Sequence, residues 1–194
     1  MTFRIAWIFL KSISETALLE TARQMSPHRD TIDWSMNTLL LQSAEHTILV
    51  DTGIGPRKEG RSGQQLSSLA EIVSPNQVDA LIITHCHGDH IGGLVDADGQ
   101  LIFPNASVYM WKQEWLHWMG AGGVVEEGPP EMAQFLKNKL DPIREHLIML
   151  EEQSPFLPGL TPVFAPGHTP GHIGLWVESQ EDKKGQLVLS HKKA

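Results

Sequence analysis

Three histidines and one aspartate lie within six consecutive positions, His85 to His90, in the stretch THCHGDHIGG. In an extended segment, side chains two residues apart point to the same side, so His85, His87 and Asp89 can converge while Cys86 points elsewhere. Imidazole nitrogens and carboxylate oxygens together suit zinc and related divalent ions. We therefore predict a metal site, in which His85 and His87 bind one ion while Asp89 and His90 begin a second site.

A third ligand for the first ion must come from another part of the chain, because a catalytic zinc usually has three protein ligands. The candidate is His168 in APGHTPGH, which lies in a loop bounded by proline and glycine after a predicted strand. Such loops hold side chains at fixed positions above a sheet. Nearby His172 is expected to support or pack against the site. We interpret the remaining histidines that we considered as ordinary surface or core residues: His28, His46, His117 and His146.

The elements around these motifs must deliver them to one place. Two apolar runs around a polar turn at 38–51 predict a β-hairpin that brings Asp51 to a loop. The apolar run at 78–84 predicts a buried strand, so THCHGDH follows a strand end. Helical spacing of apolar residues predicts helices at 66–73, 111–119 and 131–146. We expect the last helix to be interrupted at Pro142, and a hairpin to follow at 173–190.

Composition excludes several classes of protein. A chain of 194 residues with 41% hydrophobic and 20% charged residues fits one globular domain spanning 1–194. Its net charge of -8 argues against nucleic-acid binding, which needs a basic face. No apolar run approaches the roughly 18 residues of a membrane span, and the single cysteine cannot form an internal disulfide. We expect a cytoplasmic protein that acts on a small molecule, without a nucleic-acid or membrane partner.

Three motifs together resemble those of the metallo-β-lactamase superfamily. THCHGDH is similar to its HxHxDH motif, DTG at 51–53 resembles its upstream aspartate motif, and GHTPGH resembles its third-histidine motif, all in the family's order. The resemblance extends from about Asn37 to Ser190. It implies an α/β fold, the four-layer αββα sandwich, in which two sheets pack face to face and the metals lie at one edge.

The resemblance also implies a role for each site residue. Ligands of the first metal would be His85, His87 and His168, and ligands of the second would be Asp89 and His90. Asp51 would hydrogen-bond and orient the site, and Asp89 would also orient the nucleophile or pass on a proton. The di-iron branch of the family carries a glutamate at the position of His87. This difference favours one or two zinc ions here, with iron, manganese and cobalt as alternatives.

The expected activity is metal-dependent hydrolysis. A zinc-bound water, its pKa lowered from 15.7 to about 7, would supply a hydroxide that attacks a small ester, lactone, thioester or phosphoester. The hairpin and the tryptophan-rich helix most resemble the lactonase and organophosphate-hydrolase branch. The tryptophans at 111, 115 and 118 fall at helical spacing and predict one helical face, either core or the wall of an apolar pocket. Cys86 is not expected to act as a nucleophile.

One departure from the family concerns the end of the sequence. The family usually continues into a metal-bridging aspartate and a later histidine ligand, whereas here LVLS at 187–190 is followed by HKKA. We expect either a truncated chain, whose sandwich lacks its C-terminal part, or a natural short form with one firm metal, and we favour truncation. The alternative function is then a catalytically weak or inactive metal-binding remnant. An exposed apolar sheet surface would favour a homo-oligomer.

Overall fold

A computed structural model describes residues 4–5, 37–56, 64–179 and 184–188 of the chain. A mixed six-stranded sheet contains its strands in chain order: β1 (Arg4–Ile5), β2 (Leu39–Gln42), β3 (Thr47–Val50), β4 (Ala80–Ile83), β5 (Ser107–Trp111) and β6 (Leu147–Leu150). A second, antiparallel sheet contains three strands: β7 (Leu160–Phe164), β8 (Ile173–Ser179) and β9 (Lys184–Val188). The helices are α1 (Gln64–Ala70), α2 (Gly88–Ile91), α3 (Lys112–Met119), α4 (Val124–Glu127) and α5 (Pro130–Leu140), with 3-10 turns at Pro75–Gln77 and Arg144–His146.

The predicted hairpin and the parallel strands after it bring the motifs to one edge. β2 and β3 pair antiparallel around a turn in which the hydroxyl oxygen of Ser43 accepts a hydrogen bond from the backbone N–H of His46. Strands β3 to β6 are then parallel. The carboxyl ends of parallel strands meet at the same edge of a sheet, so Asp51 after β3 and His85 after β4 become neighbours.

Strand β4 shows how the core is divided into two layers. All four of its residues are buried, because both of its faces are covered. Leu81 and Ile83 pack in a cluster between the large sheet and the helices, to which every helix of the described part contributes. Ala80 and Ile82 instead pack against residues of the second sheet, such as Leu175. The two sheets therefore face each other across an apolar layer, and the predicted α/β fold is confirmed.

The outer face of the second sheet carries exposed apolar side chains. Trp176 on β8 lies opposite Leu187 on β9, and these residues are 37% and 44% exposed. All helices within 64–179 pack on the other side of the large sheet, so the described residues form helical, sheet and sheet layers. Residues 189–194, on which the expectation of truncation depended, lie outside the described residues.

The predicted strand at 78–84, the final hairpin and the helix interruption before Pro142 are confirmed, since α5 ends at Leu140. The prediction that the tryptophans share one helical face is wrong for Trp111. That residue pairs with Leu150 as the last residue of β5, and its ring stacks on Phe164 between the sheets, with centroids 5.1 Å apart. Strand pairing therefore extends one residue further than the helical spacing indicated.

None of the helices in the described ranges combines the length and the apolar character that crossing a membrane requires.

Candidate metal centre

The structure brings the three predicted ligands of the first ion together. His85 and His87 follow β4, and His168 lies in the loop between β7 and β8. Nε2 of His168 lies 3.1 Å from Nε2 of His85 and 2.9 Å from Nδ1 of His87. One ligand atom from each residue lies within 4.8 Å of the others. Nitrogens around a tetrahedral zinc, at Zn–N distances of about 2.0–2.1 Å, would be separated by roughly 3.3 Å, so this donor set fits such an ion.

The cluster is open to solvent on one side. His85 is buried, His87 is half-buried and His168 is exposed. Burial is the main cause that lowers the pKa of each of these imidazoles below its ordinary value, and repulsion from neighbouring histidines adds to the effect at His85. The neutral form, which these shifts favour, is the form that binds a metal. The site is therefore prepared for a cation and accessible to a small molecule.

Asp51 orients His85 through a neighbouring hydroxyl. Its Oδ1 accepts the backbone N–H of Thr84 at 2.8 Å, and its Oδ2 accepts the hydroxyl of Thr84 at 2.7 Å. Because that hydroxyl donates its proton to Asp51, it serves as the acceptor in its 3.1 Å contact with Nδ1 of His85. The proton of His85 is thus placed on Nδ1, and Nε2 faces His168.

Asp51 also binds His90 directly. Nδ1 of His90 donates to Oδ2 of Asp51 at 2.7 Å, while Nε2 of His90 lies 3.3 Å from Oδ2 of Asp89. Burial opposes the charged form of His90, but the carboxylates of Asp51 and Asp89 outweigh burial and raise its pKa to about 10. The ring centroids of His90 and His85 are 3.9 Å apart. The two residues predicted to begin a second site therefore lie together beside the first cluster.

His172 is buried next to the cluster. Its Nδ1 donates to the carbonyl oxygen of Ala165 at 3.1 Å, which fixes the orientation of the ring across the loop. Its ring centroid lies 5.2 Å from the ring centroid of His85 and 5.9 Å from that of His168. His172 thus lies beside the predicted ligands, and its supporting or packing role stays a prediction.

Cys86 points away from the three histidines. It is buried, and its Sγ lies 3.5 Å from Sδ of Met110 in the core. Burial raises the pKa of the thiol, as do the nearby carboxylates of Glu114 and Asp51. A thiolate nucleophile is therefore disfavoured at this position.

Sequence reasoning missed Glu114, a fully buried residue of α3. Its Oε1 accepts hydrogen bonds from the Cys86 backbone N–H at 2.9 Å and from the Trp118 indole at 2.6 Å. Its Oε2 accepts hydrogen bonds from the Thr169 hydroxyl at 2.6 Å and from the Gly171 backbone N–H at 2.9 Å. The available signal was an acidic residue four positions before Trp118, on a helical face that otherwise buries tryptophan.

Two aromatic side chains lie beside the metal cluster. The ring of Trp118 meets that of His87 edge-on, with centroids 5.6 Å apart. The half-buried Phe135 of α5 approaches the same loop, where its Cζ lies 3.4 Å from the position that a Cβ on Gly88 would occupy. Trp118 is buried in the core, so the half-buried Phe135 is the ring of the two that leaves aromatic surface exposed beside this loop.

Several known proteins resemble this chain. An N-acyl homoserine lactonase from Bacillus sp is 28% identical over 181 residues, which cover 83% of this chain and 64% of that protein. The solved structure of AidC, a dizinc quorum-quenching lactonase in complex with a product N-hexanoyl-L-homoserine, superposes with a TM-score of 0.74. It is 30% identical, with 90% of this chain and 62% of AidC covered.

A second solved structure superposes on this chain about as well as AidC does. The hydrolase AbOPH of the beta-lactamase superfamily superposes with a TM-score of 0.73 and 26% identity, with coverage of 91% of this chain and 63% of AbOPH. This chain thus spans less than two thirds of the length of these relatives. The sequence profile of the metallo-beta-lactamase superfamily matches residues 32–183. Together with the paired sheets and the histidine cluster at their edge, this match shows that the chain belongs to the metallo-beta-lactamase superfamily.

Proposed function

We propose that this chain carries the active site of a metal-dependent hydrolase, with the ion held by His85, His87 and His168. The observation that carries the proposal is the convergence of three imidazole nitrogens from two separate loops. A bound divalent ion supplies a water of lowered pKa and a Lewis acid that polarises the attacked oxygen. Nitrogen donors favour zinc, with iron, manganese or cobalt as alternatives.

The residues around the ligands have separate tasks. Asp51 orients His85 through Thr84 and holds His90 directly. Asp89, half-buried at the start of α2, is proposed to accept the proton of the attacking water on its carboxylate and to return it to the leaving oxygen. Asp89 and His90 are also the proposed ligands of a second ion, for which their adjacent side chains provide one oxygen and one nitrogen.

The substrate class that we propose first is a lactone with an acyl side chain. Relatives named N-acyl homoserine lactonases support this choice, and the half-buried ring of Phe135 beside Gly88 offers an apolar surface for an acyl group. Other small esters, thioesters and phosphoesters form the wider class, because the same chemistry attacks any electrophilic carbonyl or phosphoryl centre.

The proposal is tested by measuring bound metal and turnover on the same preparation. Metal per chain is determined by elemental analysis, and hydrolysis of N-acyl homoserine lactones, a thioester and a phosphotriester is followed before and after removal of metal. We expect bound zinc and metal-dependent ring opening, with longer acyl chains preferred. A folded chain that binds no metal would contradict the proposal. Tight metal binding without turnover of any substrate would instead support the alternative of a metal-binding remnant.

A further inference from the structure

The buried carboxylate of Glu114 connects the two loops that supply the histidines. We propose that Glu114 is a positioning residue, which holds the loop of His168 in register with the strand end that carries His85 and His87. This inference rests on the proposed metal site, since it assigns Glu114 the task of setting the distance between ligands. Glu114 itself would touch neither the ion nor the substrate.

The hydrogen bonds of Glu114 reach residues directly beside all three histidines. Its Oε1 holds the N–H of Cys86, the residue between His85 and His87. Its Oε2 holds the hydroxyl of Thr169, the residue directly after His168. One rigid carboxylate therefore fixes both loops, with one oxygen assigned to each.

The second loop is also in van der Waals contact with Glu114. A Cβ added to Gly171 would lie 2.0 Å from the backbone nitrogen of Glu114 and 2.4 Å from its Cα. The loop therefore passes directly over the start of α3, and the N–H of Gly171 reaches Oε2 at 2.9 Å. Helix α3 acts as the platform on which the loop of His168 rests.

The number of donors explains why a carboxylate is needed. Four groups donate to Glu114, two to each oxygen, and the side chain is fully buried. A glutamine would keep one oxygen and replace the other with an amide group that accepts nothing. The hydroxyl of Thr169 could rotate to accept from that amide, but the N–H of Gly171 could not. Glutamine would therefore loosen one of the two loops while it preserves the shape of the side chain.

A small displacement of the loop matters because metal–ligand distances are satisfied within about 0.2 Å. His168 is exposed, so the packing of its own side chain constrains it less than that of buried His85. Backbone hydrogen bonds such as that from the N–H of Ile173 to the carbonyl oxygen of Thr84 also hold this loop, and the buried Thr169 and Gly171 add anchors to the side chain of Glu114 next to His168. We therefore expect loss of Glu114 to weaken ion binding by acting on His168.

The experiment compares Glu114→Gln with Glu126→Gln, a matched control. Glu126 also accepts a backbone N–H, that of Gly122, but it lies on the neighbouring helix in an exposed position. Zinc affinity is measured by chelator competition on folded protein. We expect a 10- to 100-fold loss for Glu114→Gln, the usual effect of removing a partner that orients ligands, and no change for Glu126→Gln. The spectrum of bound cobalt should shift only in Glu114→Gln, because only that variant changes the geometry around the ion.

A second variant keeps the test decisive if Glu114→Gln does not fold. Thr169→Val removes one hydroxyl with little change of shape, and it should also weaken zinc binding. The double variant should lose less zinc affinity than the sum of the two single losses, because both changes alter the same contact between residues 114 and 169. Unchanged zinc affinity and cobalt spectrum in folded Glu114→Gln, or in Thr169→Val when the first variant is unfolded, would overturn the proposal.

A measurement on metal-free protein separates this inference from the proposed function. Hydrogen exchange at the amide of Gly171 should be at least 10-fold faster in Glu114→Gln than in the unmodified chain and in Glu126→Gln. If the unmodified chain binds no zinc, the proposed function fails, but this exchange rate still reports whether Glu114 holds the loop. Equal exchange in a folded Glu114→Gln would show that it does not.

Discussion

Oδ2 of Asp51 accepts hydrogen bonds from both Nδ1 of His90 and the hydroxyl of Thr84, each at 2.7 Å. One carboxylate oxygen therefore fixes the orientation of His90 directly and that of His85 through a hydroxyl. Asp51 reaches this position with a backbone φ of 58°, in the left-handed region, which aspartate tolerates better than most residues. The geometry links the upstream aspartate motif to both halves of the predicted metal site.

Asp51→Asn should weaken metal binding about 10- to 100-fold. Both oxygens of Asp51 accept hydrogen bonds, so the NH2 group of asparagine would face another donor in either orientation of the side chain. The unmet hydrogen bond should also lower the free energy of unfolding of metal-free protein by about 1–3 kcal/mol. Chelator competition and denaturant unfolding measure the two effects. Asp79→Asn is the control, since Asp79 accepts the exposed N–H of Thr47 at the opposite edge of the sheet. Equal metal affinity in the two variants would contradict the role of Asp51.

His168→Ala should remove the first ion, because it leaves two of the three converging nitrogens. The loss of affinity should exceed the 10- to 100-fold effect of removing a group that only orients a ligand. Elemental analysis and the rate of lactone hydrolysis test this expectation.

The control for His168→Ala is His146→Ala, since His146 lies just before β6, at the amino end of the parallel strands and away from the cluster. Full metal content in both variants would show that His168 is not a ligand.

Sequence was sufficient for the parts of the site that depend on short-range spacing. The HxHxDH residues follow β4 directly, so an apolar run with a polar end predicted their place at the edge of the sheet. His168 could be found only because its own motif is distinctive. Its distance from His85 is set by two strands in different sheets, which local spacing does not encode.

Sequence reasoning failed where distant contacts decide the outcome. Trp111 fits a helical pattern with the tryptophans after it, but pairing with Leu150 extends β5 through this residue. Glu114 has an ordinary place in a helix, and only the folded chain shows that its partners come from two separate loops. In both cases tertiary contacts override the local pattern.

The metal-free chain should lose stability on both sides of about pH 6.5. Folding lowers the pKa of His85, His87 and His168. Below pH 6.5 the unfolded chain therefore binds more protons than the folded chain, and stability decreases as the pH decreases. The pKa of His90 is raised to about 10, so its contribution is complete below 6.5 and is lost as the pH rises toward 10.

Denaturant unfolding of chelator-treated protein between pH 5 and 10 tests this expectation. His90→Asn keeps a donor near Asp51 but does not titrate, so it should flatten the alkaline side of the profile. His146→Asn, a change remote from the cluster, should leave the profile unaltered. An unchanged alkaline side in His90→Asn would contradict the assignment to His90.

The exposed pair of Trp176 and Leu187 should cause self-association at high protein concentration. These side chains lie opposite each other on the outer face of the second sheet, and adjacent apolar surface of this kind favours contact with another copy. Replacing both by glutamine should shift sedimentation toward the monomer and raise solubility. Ile72→Gln is the control, because Ile72 is 66% exposed on the opposite side of the molecule, beyond α1. Self-association that responds equally to both changes would show that general hydrophobicity, rather than this sheet face, is responsible.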